Sequence, residues 1–245
     1  MKYIFLLFTT FLFAQQTKFV DFKSVNAQLT IDNAQKTIAG KVDYDFSVLQ
    51  SVDTIKIDAK NMEFSNVQIN GENAVFVNTG KELQIVSHFE KGNKQLTFNY
   101  TVKPKQALYF VEIENDDVQI WTQGQGRYTS NWFPSFDDVN EKVIFNLGIT
   151  YNNQYQVISN GILKEKTSNG DLFHWQYAME KPMSSYLLML AIGKYDKTEM
   201  LSKSRIPLEY YLEPKDKKRF EPTYRYSKRI FDFLEKEIGV KYPWK

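Results

Sequence analysis

Between residues 19 and 211 the chain is a succession of short segments in which apolar and polar positions alternate, separated by turn residues. Val25, Ala27, Leu29 and Ile31 alternate with polar neighbours, and Asp32-Asn33 reads as a turn. Ile38, Val42, Tyr44, Phe46 and Val48 then resume the same period, with Gly40 as the exception. A period of two puts successive apolar side chains on one face of a pleated strand, so these runs predict half-buried antiparallel strands. Residues 54–58, 67–69, 74–77, 83–86 and 95–102 follow the rule, joined by turns at Asn70-Gly71, Thr79-Gly80 and Gly92-Asn93, where Gly or Asn tolerates a positive φ. A second β-rich stretch takes in residues 143–151, 156–159, 172–177, 186–192 and 208–212, with Asn160-Gly161 and Asn169-Gly170 as turns. Strands that follow one another through tight turns predict antiparallel sheets packed as a sandwich or saddle.

The period changes after Pro214. Phe220, Tyr224, Ser227, Phe231, Leu234 and Ile238 recur at steps of three or four, which predicts one amphipathic helix. Asp216 is placed to cap it, Gly239 stands where a helix end takes a left-handed residue, and Pro243 forbids continuation. There is no internal repeat and no low-complexity segment.

Residues 1–14 have the form of a secretory signal peptide: Lys2 is the basic start, residues 3–13 are an apolar run, and Leu12 and Ala14 precede the expected cut. The run is shorter than the roughly 20 apolar residues that span a bilayer, so no membrane span is expected once it is removed. The mature protein is thus expected in the periplasm or outside the cell. With no cysteine in its 245 residues, it has no disulfides, thiolate metal ligands or lipid-bearing cysteine. Its core must hold it, and 42% apolar and 16% aromatic residues supply one. A net charge of +2 leaves no electrostatic footprint for nucleic acid.

Histidine is equally scarce. His88 and His174 are not at a metal-binding spacing, and both read as strand-surface residues. No Gly-x-Ser-x-Gly elbow, phosphate loop or dinucleotide fingerprint occurs, so no catalytic residue and no metal ligand is assigned in this chain. One stretch stands apart, residues 120–138, which contains Gln123-Gly124-Gln125-Gly126 and then Trp132-Phe133-Pro134-Ser135-Phe136-Asp137. If that segment is extended, Gln123 and Gln125 share a face while the glycines leave the other face open to a close neighbour. Two adjacent amides can accept hydrogen bonds from an ammonium group, or they can form a buried ladder tying two loops together. Residue types alone favour the buried ladder, because most buried polar groups are satisfied structurally.

The stretch resembles the aminopeptidase N family of zinc metallopeptidases, which includes the leukotriene-hydrolase-like aminopeptidases. That family carries Gln-x-Gln or Gln-x-Glu and then an aromatic-Pro-x-aromatic-Asp segment, matched here by residues 123–125 and 133–137. Ser159-Asn160-Gly161, the Pro182-Met183-Ser184-Ser185-Tyr186-Leu187 strand, Gly193-Lys194-Tyr195, and residues 231–243 with Tyr242-Pro243 also resemble it, in consistent order. The resemblance implies a saddle-shaped β-sandwich domain of antiparallel or mixed sheets over residues 17–212, followed at 213–245 by the opening helix of a thermolysin-like catalytic domain. It implies that Gln125, with Gln123 lining the same pocket, holds the free α-amino group of a peptide substrate. The scissile carbonyl then reaches the metal only when the amine is bound. A neutral amide in place of Glu grips an ammonium less strongly, so a glutamate elsewhere would carry the charge.

The family places Gly-x-Met-Glu-Asn, His-Glu-x-x-His and its zinc ligands after the point where this sequence stops. The expectation is therefore a fragment that is inactive alone, whose zinc and catalytic partner domain belong to a longer parent. A non-catalytic β-sandwich binding or scaffold module of the same ancestry remains the alternative.

Overall fold

A computed structural model describes residues 16–113 and 117–244, so the expected signal segment lies outside the described residues. The alternating runs become strands. β1 (Val20–Asp32) and β2 (Thr37–Val48) form a long hairpin in which Ile31 pairs with Ile38 and Val20 with Val48. Every apolar residue that the alternation picks out on them is buried. The chain continues through β3 (Val52–Asp58), β4 (Met62–Ile69), β5 (Glu72–Asn73), β6 (Phe76–Asn78), β7 (Glu82–Phe89), β8 (Gly92–Val102), β9 (Leu108–Glu112) and β10 (Val118–Thr122). The second half supplies β11 (Lys142–Asn152), β12 (Gln156–Ser159), β13 (Ile162–Asn169), β14 (Leu172–Ala178), β15 (Met183–Ser184), β16 (Leu190–Gly193), β17 (Asp196–Leu201) and β18 (Pro207–Leu212).

One large sheet runs β13-β14-β11-β1-β2-β8-β4-β5, with β15 joined to β11. Two smaller sheets, β3-β7-β6 and β12-β16-β10-β9, share its core: Val25, Leu29, Phe98 and Ile149 belong to the same buried cluster as Ile55, Leu83, Ile120 and Ile192. The result is a β-sandwich, as the alternation implies. Its sheets are not wholly antiparallel. β1 pairs in parallel with β11, from Ser24–Ile144 to Thr30–Thr150, so the second β-rich stretch is joined edge to edge with the first.

Gly40, the interruption in the β2 pattern, has a packing reason. It lies between Leu29 on β1 and Tyr100 on β8, and a Cβ there would come within 2.5 Å of the Tyr100 ring. The bare position lets that ring lie across the strand, and its hydroxyl donates to the Trp132 carbonyl at 3.2 Å. The missing side chain on β2 thus helps position the stretch around residue 132.

Three expectations need correction. Residues 186–192 are not one strand: Ser185–Leu187 forms a 3-10 turn between β15 and β16, and its backbone contacts go to neighbouring loops. The C-terminal helix is not continuous either. A 3-10 segment, Pro214–Arg219, leads into α1 (Phe220–Tyr224), and α2 (Ser227–Ile238) begins after a break at which the Ser227 hydroxyl donates to the Tyr224 carbonyl. A serine that bonds backbone in this way competes with the helical ladder. Third, Asp216 caps nothing; it lies within the 3-10 turn and pairs with Arg219 at 2.9 Å.

Gly239 ends α2 with φ 71°, and its N–H donates to the Glu235 carbonyl at 3.1 Å. α2 buries none of its residues, and Ile230, Phe233, Leu234 and Ile238 are exposed. Among the described residues no helix is long and apolar enough to cross a membrane.

Candidate functional site

The unusual stretch divides into a buried half and an exposed half. Trp132 and Phe133 are fully buried, and Phe136 packs 4.4 Å from Phe22 and 5.7 Å from Tyr44. The Tyr44 hydroxyl donates to the Pro134 carbonyl at 2.7 Å. Ser135 and Asp58 exchange backbone hydrogen bonds of 3.0 and 2.9 Å, so the segment is stitched to the end of β3 as well as to the large sheet. Rings this deep with satisfied carbonyls fix the backbone that bears them.

Gln123 and Gln125 are placed differently from the extended arrangement expected. The chain leaves β10 after Thr122, and residues 125–128 form a turn closed by the Tyr128 N–H on the Gly124 carbonyl at 3.2 Å. Both glutamine side chains are exposed, and among the described residues neither makes a hydrogen bond. A bonded amide pair does exist, but elsewhere. Gln28 donates to Gln176 at 3.3 Å across Gly148, where a Cβ would strike the Gln28 amide. The buried-ladder reading therefore does not describe Gln123 and Gln125.

Their backbone, in contrast, is fastened from several directions. Gln123 N–H donates to Ala107 at 2.7 Å, and Thr122 Oγ1 accepts the Leu190 N–H at 2.9 Å. Thr129 Oγ1 donates to the Ser185 carbonyl at 2.9 Å. Gly124 lies so close to the Tyr186 carbonyl that a Cβ would be 2.6 Å from it, so this glycine does admit a neighbouring backbone. Gly126 has φ 88°, and two non-glycine residues beside the loop, Ala107 and Arg127, are also left-handed at 70° and 73°. Backbone strain of this kind persists only where the surroundings over-determine it, and it gathers at functional sites.

The Ser-Asn-Gly turn braces the same assembly. Asn160 Oδ1 accepts the Met189 N–H at 2.7 Å, its Nδ2 donates to the Leu187 carbonyl at 3.2 Å, and Ser159 Oγ donates to Met189 at 2.9 Å. Three stretches far apart in sequence thus meet at residues 122–129, 159–161 and 185–190. Leu187 and Met189 also line a cavity of about 860 Å³ with Trp175, Tyr195, Tyr211 and Trp244; neither Gln123 nor Gln125 lines it.

Lys60 is a member of this site that the sequence did not reveal. Its Nζ lies 2.9 Å from Asp137 Oδ2 and 3.3 Å from the Arg127 carbonyl. Asp58 accepts the Asp137 N–H at 2.7 Å, and burial raises its carboxyl above the ordinary range despite that bond. The histidines take no part: His88 is exposed beside Asp53, and His174 contacts Thr150 on the sheet surface. Among the described residues no group of three or more His, Cys, Asp or Glu could hold a metal ion. These residues do not fit a zinc ion, and no chemical step can be routed through one here.

A family profile described as the peptidase M1 N-terminal domain matches residues 23–187, which include the amide loop, its buried anchor and the bracing turn. The chain belongs to the peptidase M1 family. Glutamyl aminopeptidase of Bos taurus is 30% identical to this M1 N-terminal domain over 111 residues, 45% of this chain and 12% of that protein. Aminopeptidase A of Gloydius brevicauda is 31% identical over 112 residues, again 45% and 12%. Probable aminopeptidase 1 of Sulfurisphaera tokodaii is 25% identical over 192 residues, 77% of this chain and 24% of that protein. The M1 domain thus matches only about an eighth to a quarter of the length of these relatives.

Proposed function

We propose that this M1 domain is the substrate-anchoring N-terminal part of an exported zinc aminopeptidase, in which Gln123 and Gln125 receive the free α-amino group of a peptide. The observation that carries the reading is the contrast within one loop: its backbone is held by three neighbouring segments while its two amide side chains point free into solvent. A fixed backbone with unpaired acceptors suits an ammonium site, because only the side-chain rotamers then have to be ordered on binding. The relatives' names supply the reaction class, removal of an N-terminal residue. Zinc, when bound, would polarise the scissile carbonyl, and its ligands would come from the longer parent. This chain alone would be inactive, and the signal-like segment at residues 1–14 would direct the parent out of the cytoplasm.

The test is Gln125→Ala in the longer protein, assayed on peptides with free and acetylated N-termini. The reading expects KM for free N-termini to rise roughly tenfold, the scale of one hydrogen bond to a charged group, with kcat changing less. Unchanged kinetics would remove Gln125 from the substrate site.

A further inference from the structure

We infer that Lys60 is a positioning residue for the amide loop, clamping from the β3–β4 connection the turn that carries Gln125. The inference rests on the anchoring reading above and adds to it the residue that keeps the anchor in register. Lys60 makes three contacts to the stretch. Its N–H donates to the Ser130 carbonyl at 2.7 Å, its ammonium donates to the Arg127 carbonyl at 3.3 Å, and the same ammonium pairs with Asp137 at 2.9 Å. The first two reach the ends of the Arg127–Ser130 segment; the third reaches the buried half, where Asp137 is tied to Asp58.

An ordinary surface ion pair contributes little, since water and salt screen it and both side chains lose freedom. Lys60 and Asp137 are only 33% and 21% exposed, and the clamp's effect does not depend on the pair alone. The ion pair fixes the ammonium against a rigid frame, and the fixed ammonium then holds the carbonyl of Arg127, a residue in the left-handed region. A non-glycine residue enters that region at a steric cost, so the turn relaxes toward other conformations once a contact holding it is lost. Gln125 and Gly126 belong to that same turn. Its other fastenings are the long Tyr128–Gly124 bond of 3.2 Å and, at its far end, the Asn131 N–H and Nδ2, which donate to the Tyr128 carbonyl at 3.0 and 2.8 Å.

Two measurements test the clamp. In the 245-residue chain, Lys60→Met should speed hydrogen exchange at the Tyr128 amide by about tenfold while the β1–β2 amides keep their protection. Lys60→Arg, which can reach both oxygens, should restore most of the protection. If methionine disturbs folding, Lys60→Gln, which keeps a neutral donor, replaces it. In the longer protein, Lys60→Met should raise KM for free N-termini by about tenfold with kcat within roughly twofold, and Lys60→Arg should return it toward the parent value. Unchanged exchange at Tyr128 in Lys60→Met, or equal loss in the arginine variant, would overturn the clamp. A KM effect of Gln125→Ala without one of Lys60→Met would overturn it too and leave the anchoring reading standing. No effect of Gln125→Ala would remove the anchoring reading itself, whatever Lys60 does.

Discussion

The two halves of the stretch around residue 130 lie a few residues apart and obey opposite rules. From Trp132 to Phe136 the aromatic side chains are buried against both layers of the sandwich, and carbonyls are bonded to Tyr44 and Tyr100. From Gln123 to Arg127 the side chains other than the glycines are exposed, and the bonds that hold the loop are made by its backbone and by Thr122 and Thr129. The first half spends its side chains on the core; the second leaves them for something outside it. A functional loop of this kind needs both, since exposed groups can be kept in place only by a neighbour that cannot move. The comparison predicts that stability and substrate handling separate along this one stretch.

The largest effect should come from the buried half. Phe133→Ala removes a fully buried ring that packs on Tyr100 and Phe145, so a loss of about 3–5 kcal/mol is expected in denaturant unfolding. Gln125→Ala, at an exposed and unbonded position, should stay within about 0.5 kcal/mol of the parent in the same assay. Comparable losses for the two would erase the distinction.

Next in size is a pH effect at Glu141, on the loop that leads from the buried half into β11. Burial, followed by the charges of Asp21 and Asp138, pushes its carboxyl up from an ordinary 4.5 to about 7, although it accepts the Phe22 N–H and faces Lys23. The folded state thus binds a proton that the unfolded chain has released between about pH 4.5 and 7. Stability therefore falls as pH rises through this window, and the penalty is complete above the folded value. Glu141→Gln removes the ionisation and keeps an oxygen for Phe22. It should be more stable than the parent at pH 8, by about 3 kcal/mol, and nearly equal to it near pH 4. A constant difference between the two proteins from pH 4 to 8 would rule out ionisation as the cause.

How much of the fold and the site is legible in the sequence follows from what each signal encodes. Alternation reports which face of a strand is buried, so β1, β2 and β8 could be read directly. It is silent about partners, and the parallel seam between β1 and β11 is invisible to it. It also fails where neither face is buried: β13, an edge strand with no buried residue, and the β17 strand of a two-stranded hairpin carry no such signal. The helical period on residues 220–238 gives the element type, but the helix is interrupted between Tyr224 and Ser227 and none of its face is buried. At the site, the glutamines and their aromatic-Pro anchor stood out by residue type. Lys60, Thr129 and the bracing by Asn160 did not, because each acts through a backbone carbonyl whose neighbour only the tertiary fold determines.

The most specific test probes the junction of the halves. Gly124→Ala places a Cβ 2.6 Å from the Tyr186 carbonyl and 2.7 Å from Thr129 Oγ1, and neither neighbour is the free end of a flexible chain. The loop must move away from the Ser185–Leu187 turn, at a cost of about 1–3 kcal/mol. At Gly71, also a loop glycine, φ is 83° and no atom lies within 4 Å of the added Cβ, so Gly71→Ala meets conformational strain alone. That pair of variants separates crowding from strain. If close backbone approach holds the amides in place, Gly124→Ala should raise KM in the longer protein while Gly71→Ala leaves it unchanged, even where unfolding curves show similar losses. Equal kinetic effects from the two would mean that the loop answers to overall stability, and that the contact between residues 124 and 186 does not set the position of Gln123 and Gln125.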